Sequence, residues 1–326
     1  MPKCGSSATI GILRQLSATQ HKQWQHRSPH SGYALQHNTI QGVGEATQHK
    51  ATQGLNATQH KATEARKSGQ HYATHGVNAT QHNATQTQHN VTQLAAAFNL
   101  VRSKDFHTEH MNDMQTASLI QTLKHLKKPW LYERHVHFLD TQQYGLDLPV
   151  YINFIRHPVD RFVSQYYFYR FEHPKPMSKQ RRNRTFDECV LGDYEECSTE
   201  QGFVIIPFFC GQDMFCLKPS KAALNRAKRN VDRYYHLVGI TEDLLASYTL
   251  LERTLPQFFT NMSAIAEAKL ARLKSVFKTH KKPKPSKTAL YIMRTRLALE
   301  NEFYYYVKHR YVQFLKYYNV TNSVVI

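Results

Sequence analysis

Residues 151–171, YINFIRHPVDRFVSQYYFYRF, decide how the rest of the chain is read. The short apolar run 150–155 has the length and composition of a buried strand. Arg156 closes it, and Pro158 suits the first turn of a helix, where a missing N–H leaves no bond unmade. Phe162, Val163, Tyr166, Tyr167 and Arg170 follow at helical spacing. The unit is therefore a strand, an Arg at its carboxyl end, and a helix with Ser164 two turns in. Open α/β sheets bind ligands at the carboxyl ends of their strands. Arg156, with a hydroxyl eight residues on, is a candidate clamp for a phosphate. The alternative is an ordinary β–α unit with a solvated Arg, and spacing alone favours neither.

The 326 residues are enough for one large domain or two small ones, and 19 Tyr and 17 Phe support a sizeable core. The net charge of +18 points to a polyanionic partner: nucleic acid, an acidic membrane surface, or a sulfated or carboxylated glycan. No RNA- or DNA-binding signature of the RRM or zinc-finger kind is present. No apolar run reaches the roughly 18 residues that span a bilayer, and Met1-Pro2-Lys3-Cys4 is not the start of a signal peptide. Of five cysteines, Cys189 and Cys197 lie eight apart and Cys210 and Cys216 six apart. Two short loops closable by local disulfides fit this spacing better than a metal site, since C-x2-C is absent. An oxidising compartment follows, in agreement with seven N-x-S/T sequons, among them Asn183, Asn261 and Asn319.

In chain order, Lys3, Cys4, Gly5, Ser6 and Ser7 form a loop of small residues ahead of a helical pattern at Ile10, Leu13 and Leu16. A helix N-terminus of this kind offers free N–H groups and a positive dipole to an anion. It is not a Walker A loop, because G-x4-G-K-S/T is absent. Residues 18–94 repeat ATQHK and ATQHN, from Ala46 at a period of eleven, with almost no apolar residues. The expectation is a disordered, low-complexity insertion outside the fold. It holds ten of the twenty His residues, and repeat expansion explains them more simply than metal binding.

Order resumes near Ala95. The spacing predicts a helix over 111–127 with Met114, Leu119, Leu123 and Leu126 inward, and a strand over 130–139. Strand alternation puts His135 and His137 on one side. Such a pair could ligate a metal, but no third ligand suggests itself; a general base at a strand end is the more attractive candidate, with structural histidines as the alternative. A basic loop over 173–184 carries Lys175, Lys179, Arg181, Arg182 and Arg184. Ser220 caps a predicted helix to Arg233 with Ala223, Leu224, Ala227 and Val231 inward. Residues 235–240 read as a strand, 241–243 start a further helix, and 280–287 form a Pro-bounded basic loop. One long amphipathic helix is expected over 288–318, with Met293, Leu297, Phe303, Val307 and Tyr311 on its core face.

Taken in order, PKCGS, RHVHFLD, YINFIRHPVDRFVSQYYFYRF, DECVLGDYEEC, IIPFFCGQDMFC, ALNRAKRNV, LVGITEDL and ENEFYYYVK resemble the Golgi glycosaminoglycan uronyl 2-O-sulfotransferases. RHVHFL, IIPFFCGQ and ENEFYYYVK look closer to the dermatan/chondroitin branch than to its heparan sulfate sister. The resemblance covers residues 1–17 and about 95–318. It implies an α/β, P-loop-like sulfotransferase fold, with a central parallel sheet flanked by helices, using 3′-phosphoadenylyl sulfate (PAPS) and no metal. By the same resemblance Lys3, Cys4, Gly5, Ser6 and Ser7 hold the 5′-phosphosulfate, and Arg156 and Ser164 hold the 3′-phosphate. His135 is the base, with His137 second, and Lys3 balances charge on the phosphosulfate bridge. Cys189–Cys197 and Cys210–Cys216 match the family's disulfides, and the basic loop at 281–287 closes over the cofactor. Arg170, Arg181, Arg182 and Arg184 are expected to grip carboxylates and sulfates of the glycan.

The resemblance also implies a strand, a stem and a membrane anchor ahead of the phosphosulfate loop, where this sequence begins at Met1. The expectation is a Golgi-lumenal, type II protein whose anchor is not in the given sequence, with a homo-oligomer in keeping with relatives. The remainder of the sulfotransferase domain is assigned to 95–326. The competing expectation is a catalytically inactive glycosaminoglycan-binding chain; nucleic acid is not the expected partner. Where relatives read RFGD, this chain reads RFEH at 170–173.

Overall fold

The computed structural model describes residues 34–36, 39–41, 99–103, 109–127, 129–172, 176–268 and 282–321. Lys3, Cys4, Gly5, Ser6 and Ser7, and all of 18–94 except two short strands, lie outside the described residues. Those strands, β1 (Ala34–Gln36) and β2 (Thr39–Gln41), pair antiparallel alongside β4 (Trp130–Glu133) and β5 (Tyr151–Ile155).

Two parallel pairs carry the chain's α/β character. β3 (Asn99–Arg102) runs parallel to β4, and β5 runs parallel to β6 (Tyr235–Ile240), with Ile152 opposite Leu237 and Ile155 opposite Ile240. Tyr151, Ile152 and Ile155 are buried, as are Leu237, Val238 and Ile240. Near-continuous apolar strands of this kind belong between two covering layers. Gly239 is needed for a close approach: a Cβ there would stand 2.6 Å from the Phe154 ring.

The covering helices follow local signals. Asn112 and Gln115 make a reciprocal capping box at the start of α1 (Asp113–His125). α2 (Pro158–Tyr167) opens on Pro158 and ends in a π-helical turn, Phe168–Glu172. Ser178 caps α3 (Lys179–Asn183), and Thr185 caps α4 (Phe186–Leu191) through a box with Glu188. α5 (Ile205–Cys210) is entirely buried. Ser220 accepts from the Ala223 N–H to start α6 (Lys221–Tyr234), whose Ala223, Leu224, Ala227 and Val231 are all buried, as the spacing predicts. α7 (Leu244–Thr254) follows a 3-10 turn, and α8 (Lys287–Arg296) and α9 (Ala298–Tyr317) close the described chain. β5, β6, α5, α6, α7 and α9 enclose the largest core, while one face of α2 packs with α4 and α8 in a second.

Four expectations change. The 130–139 strand pairs only to Glu133; among the described residues the segment through His135 and His137 has no ladder partner, and it bonds instead to Glu109 and to Phe208 of α5. Met114 is 82% exposed, because α1 turns Thr116, Leu119 and Ile120 inward. The expected 288–318 helix is two helices that meet at Leu297. Leu297 packs so closely over Gly202 that a Cβ there would fall 2.2 Å from its methyl. The basic 173–184 loop contains a capped helix, α3.

Candidate active site

β5 delivers Arg156 to its carboxyl end, half-buried, with Ser164 buried on α2. The turn between them is fixed from outside. Glu242, just after β6, accepts from the His157 N–H at 2.8 Å and from the Tyr304 hydroxyl at 3.4 Å. The His157 ring packs edge-on against Tyr304, and burial lowers its pKa, opposed by the nearby charges of Asp160 and Glu242. Lys282, from the basic Pro-loop, comes close enough that burial and then the charge of Arg156 lower its pKa, with Asp160 acting the other way. Two cations crowded at a strand's carboxyl end favour an anionic ligand there. This is the charge and hydrogen-bonding chemistry that a nucleotide phosphate needs.

His135 and His137 are both buried. Both rings meet the same residue edge-on, Phe208 of α5, with centroids 6.4 and 5.0 Å away. The backbone here is held by a loop and a helix: His137 N–H donates to Glu109 O at 2.9 Å and Phe138 N–H to Phe208 O of α5 at 2.8 Å. Gln212 is the hub, donating to His137 O at 2.9 Å and accepting from the Met111 N–H at 2.9 Å. The Gln212 carbonyl lies 2.7 Å from His110 Nε2. Gly211, at φ +119, allows this approach; its Cβ position is 3.2 Å from Phe138 O. Burial, reinforced by His110, lowers the His137 pKa to about 3. The ring therefore takes up a proton only at low pH.

Both disulfides form, Cys189 with Cys197 and Cys210 with Cys216. The first closes the loop that carries Glu196. Around that carboxylate three of the expected glycan-gripping arginines gather: Arg170 at 2.9 Å, Arg184 at 2.8 Å, and Arg181 through its Nε. Burial pushes the Glu196 carboxyl up, but hydrogen bonds from Arg181 and Arg184 and the charge of Arg170 outweigh it and hold the pKa below the usual range. Arg182 stands apart from this cluster, half-buried on α3. A cavity of about 440 Å³ lies beside the cluster, lined by Tyr167, Phe171, Asn183, Arg184, Lys282 and Pro283 among others. Among the described residues no group of three or more His, Cys, Asp or Glu is arranged to hold a metal ion, and no helix is long and apolar enough to cross a membrane.

Sequence reasoning missed Gln212, Glu242 and Glu196. Only Gln212 carries a local signal, its place after a Gly inside a cysteine-closed loop.

The described fold thus presents a parallel pair with two neighbouring cations near the end of β5, and a separate group of buried histidines around Phe208. Residues 1–306 match the Sulfotransferase family, and the chain belongs to it. Human uronyl 2-sulfotransferase is 40% identical over 225 residues, covering 66% of this chain and 55% of that protein. Heparan sulfate 2-O-sulfotransferase 1 of Xenopus laevis is 35% identical over 239 residues, covering 68% and 66%. Heparin sulfate O-sulfotransferase of Drosophila melanogaster is 40% identical over 180 residues, covering 50% and 52%. The chain thus spans about half to two thirds of the curated relatives it matches.

Proposed function

We propose that this chain moves the sulfuryl group from PAPS to the 2-hydroxyl of uronic acid residues in a glycosaminoglycan, with dermatan or chondroitin sulfate ahead of heparan sulfate as acceptor. The observation that carries this reading is the likeness, over two thirds of the chain, to proteins named for uronyl and heparan sulfate 2-O-sulfation. PAPS, when bound, supplies the activated sulfuryl group. Arg156 and Ser164 hold its 3′-phosphate, and the paired cations Arg156 and Lys282 support that assignment. Lys3, Cys4, Gly5, Ser6 and Ser7 hold the 5′-phosphosulfate, with Lys3 balancing negative charge at the bridge. His135 takes the proton of the attacking 2-hydroxyl. His137, kept neutral by burial, shapes the wall around Phe208. The location that goes with this reading is the Golgi lumen, as a type II membrane protein and homo-oligomer. Two disulfides agree with an oxidising lumen.

The test supplies radiolabelled PAPS and desulfated dermatan, chondroitin or heparan chains to the purified protein. Label is expected on uronic acid, with a loss of about 10²-fold or more in His135→Ala. No transfer to any acceptor, or transfer indifferent to His135→Ala, overturns the proposal.

A further inference from the structure

Three arginines from two elements converge on the Glu196 carboxylate. Arg170, in the π-helical turn, is 5% exposed; it donates to Tyr166 O at 3.0 Å and lies 3.4 Å from the centre of the Tyr166 ring. Arg184, the C-cap of α3, is 15% exposed and lies 3.3 Å over the Tyr194 ring. Arg181 is 53% exposed, and Glu196 is 8% exposed. The other acid near Arg184 is Glu188, whose carboxylate is engaged by the Thr185 N–H at the start of α4. Each guanidinium has five donors, so Arg181 and Arg184 keep donors to spare once Glu196 is served. Arg170, by contrast, is buried away from solvent. Arg184 also lines the 440 Å³ cavity, together with Lys282 and the stacked rings of Tyr167 and Phe171.

We infer that Glu196 is a positioning residue for the acceptor: it ties the exposed Arg181 to Arg184, which lines this cavity, and holds the two as a fixed pair that receives the carboxylate or sulfate groups of an acidic sugar chain. The inference rests on the proposed glycosaminoglycan acceptor. It makes a prediction opposite in sign to that of charge alone. Removing an acid from a basic surface strengthens attraction for a polyanion everywhere. Removing the acid that orients two guanidinium forks loses their bidentate geometry.

The test measures binding of dermatan sulfate and heparin oligosaccharides by calorimetry at about 0.15 M salt, where distant charges are screened, with thermal midpoints recorded for every variant. Glu196→Gln is expected to weaken binding about tenfold although it adds to the net charge. Glu196→Asp keeps the charge and shortens the reach, and is expected to weaken binding severalfold. Adding Arg181→Ala to Glu196→Gln should bring little further loss, because the two act as one unit, whereas adding Arg182→Ala should bring its full separate effect. Tighter or unchanged binding by Glu196→Gln overturns the inference, as does an Arg181→Ala effect of equal size in both backgrounds, or no binding by the unmodified chain. If Glu196→Gln does not fold, unchanged affinity in folded Glu196→Asp overturns it. Binding of PAP, measured separately, keeps the two readings apart: its absence counts against the cofactor assignment and leaves the oligosaccharide comparison intact.

Discussion

Replacing Glu300 by Gln tests how the site is held in place. Glu300 sits in the first turn of α9, 1% exposed, and its two oxygens accept from the Ile205 and Ile206 N–H groups, each at 2.9 Å. Those N–H groups open α5, which carries Phe208 against His135 and His137. Burial raises the Glu300 pKa from 4.5 to about 7, against the opposing pull of Arg161 and the backbone N–H groups. A carboxyl that holds its proton more tightly when folded stabilises fully below about pH 4.5, and that stability is lost as pH rises through about 7. The displacement of roughly 2.5 units corresponds to about 3 kcal/mol. Glu300→Gln does not titrate, and it sets an NH₂ against one backbone N–H at a pH-independent penalty of about 1–3 kcal/mol. Urea unfolding of both proteins at pH 5, 6, 7 and 8 isolates the group through their difference. The unmodified chain should lead by most at pH 5, and its lead should shrink by about 2.5 kcal/mol by pH 8. A difference that is flat, or that grows with pH, refutes the reasoning and means Arg161 keeps Glu300 ionised.

His137 bends stability the other way: with a pKa of about 3 when folded and 6.5 when unfolded, it costs the fold stability as pH falls through 6.5 toward 3. His137→Gln should flatten that acid loss in thermal melts while leaving the pH profile of sulfate transfer in place; a shifted profile would make His137 the base. Gly239→Ala drives a methyl to 2.6 Å from the Phe154 ring and 3.0 Å from Ser247 Oγ, in the centre of the β5–β6 core. A loss of about 1–3 kcal/mol is expected from chemical denaturation, and an unchanged midpoint would show that Phe154 moves aside freely.

Much of the architecture was legible because its causes are local. The β5–α2 unit follows from an apolar run, an Arg and a Pro within a few residues, and the α6 face from spacing alone. The disulfides follow from cysteines eight and six residues apart. The misread elements share a different cause. Nothing near Glu133 in the sequence says that the ladder stops there and that the next residues bond to Glu109 and Phe208. Nor does the pattern at Leu297 show that a glycine 95 positions earlier leaves room for it to pack into.

The same division separates the charges. Composition fixed the sign of the surface and named Arg170, Arg181, Arg182 and Arg184 as candidates for an acidic polymer. Only the fold decided that three of them share Glu196, 26, 15 and 12 residues away along the chain. It likewise set Glu242 under the turn that presents Arg156, 85 residues from its partner His157. Helix periods, caps and short loops are encoded by neighbours in sequence. Which buried acid meets which base depends on distance and desolvation in three dimensions, and those exist only once the chain has packed.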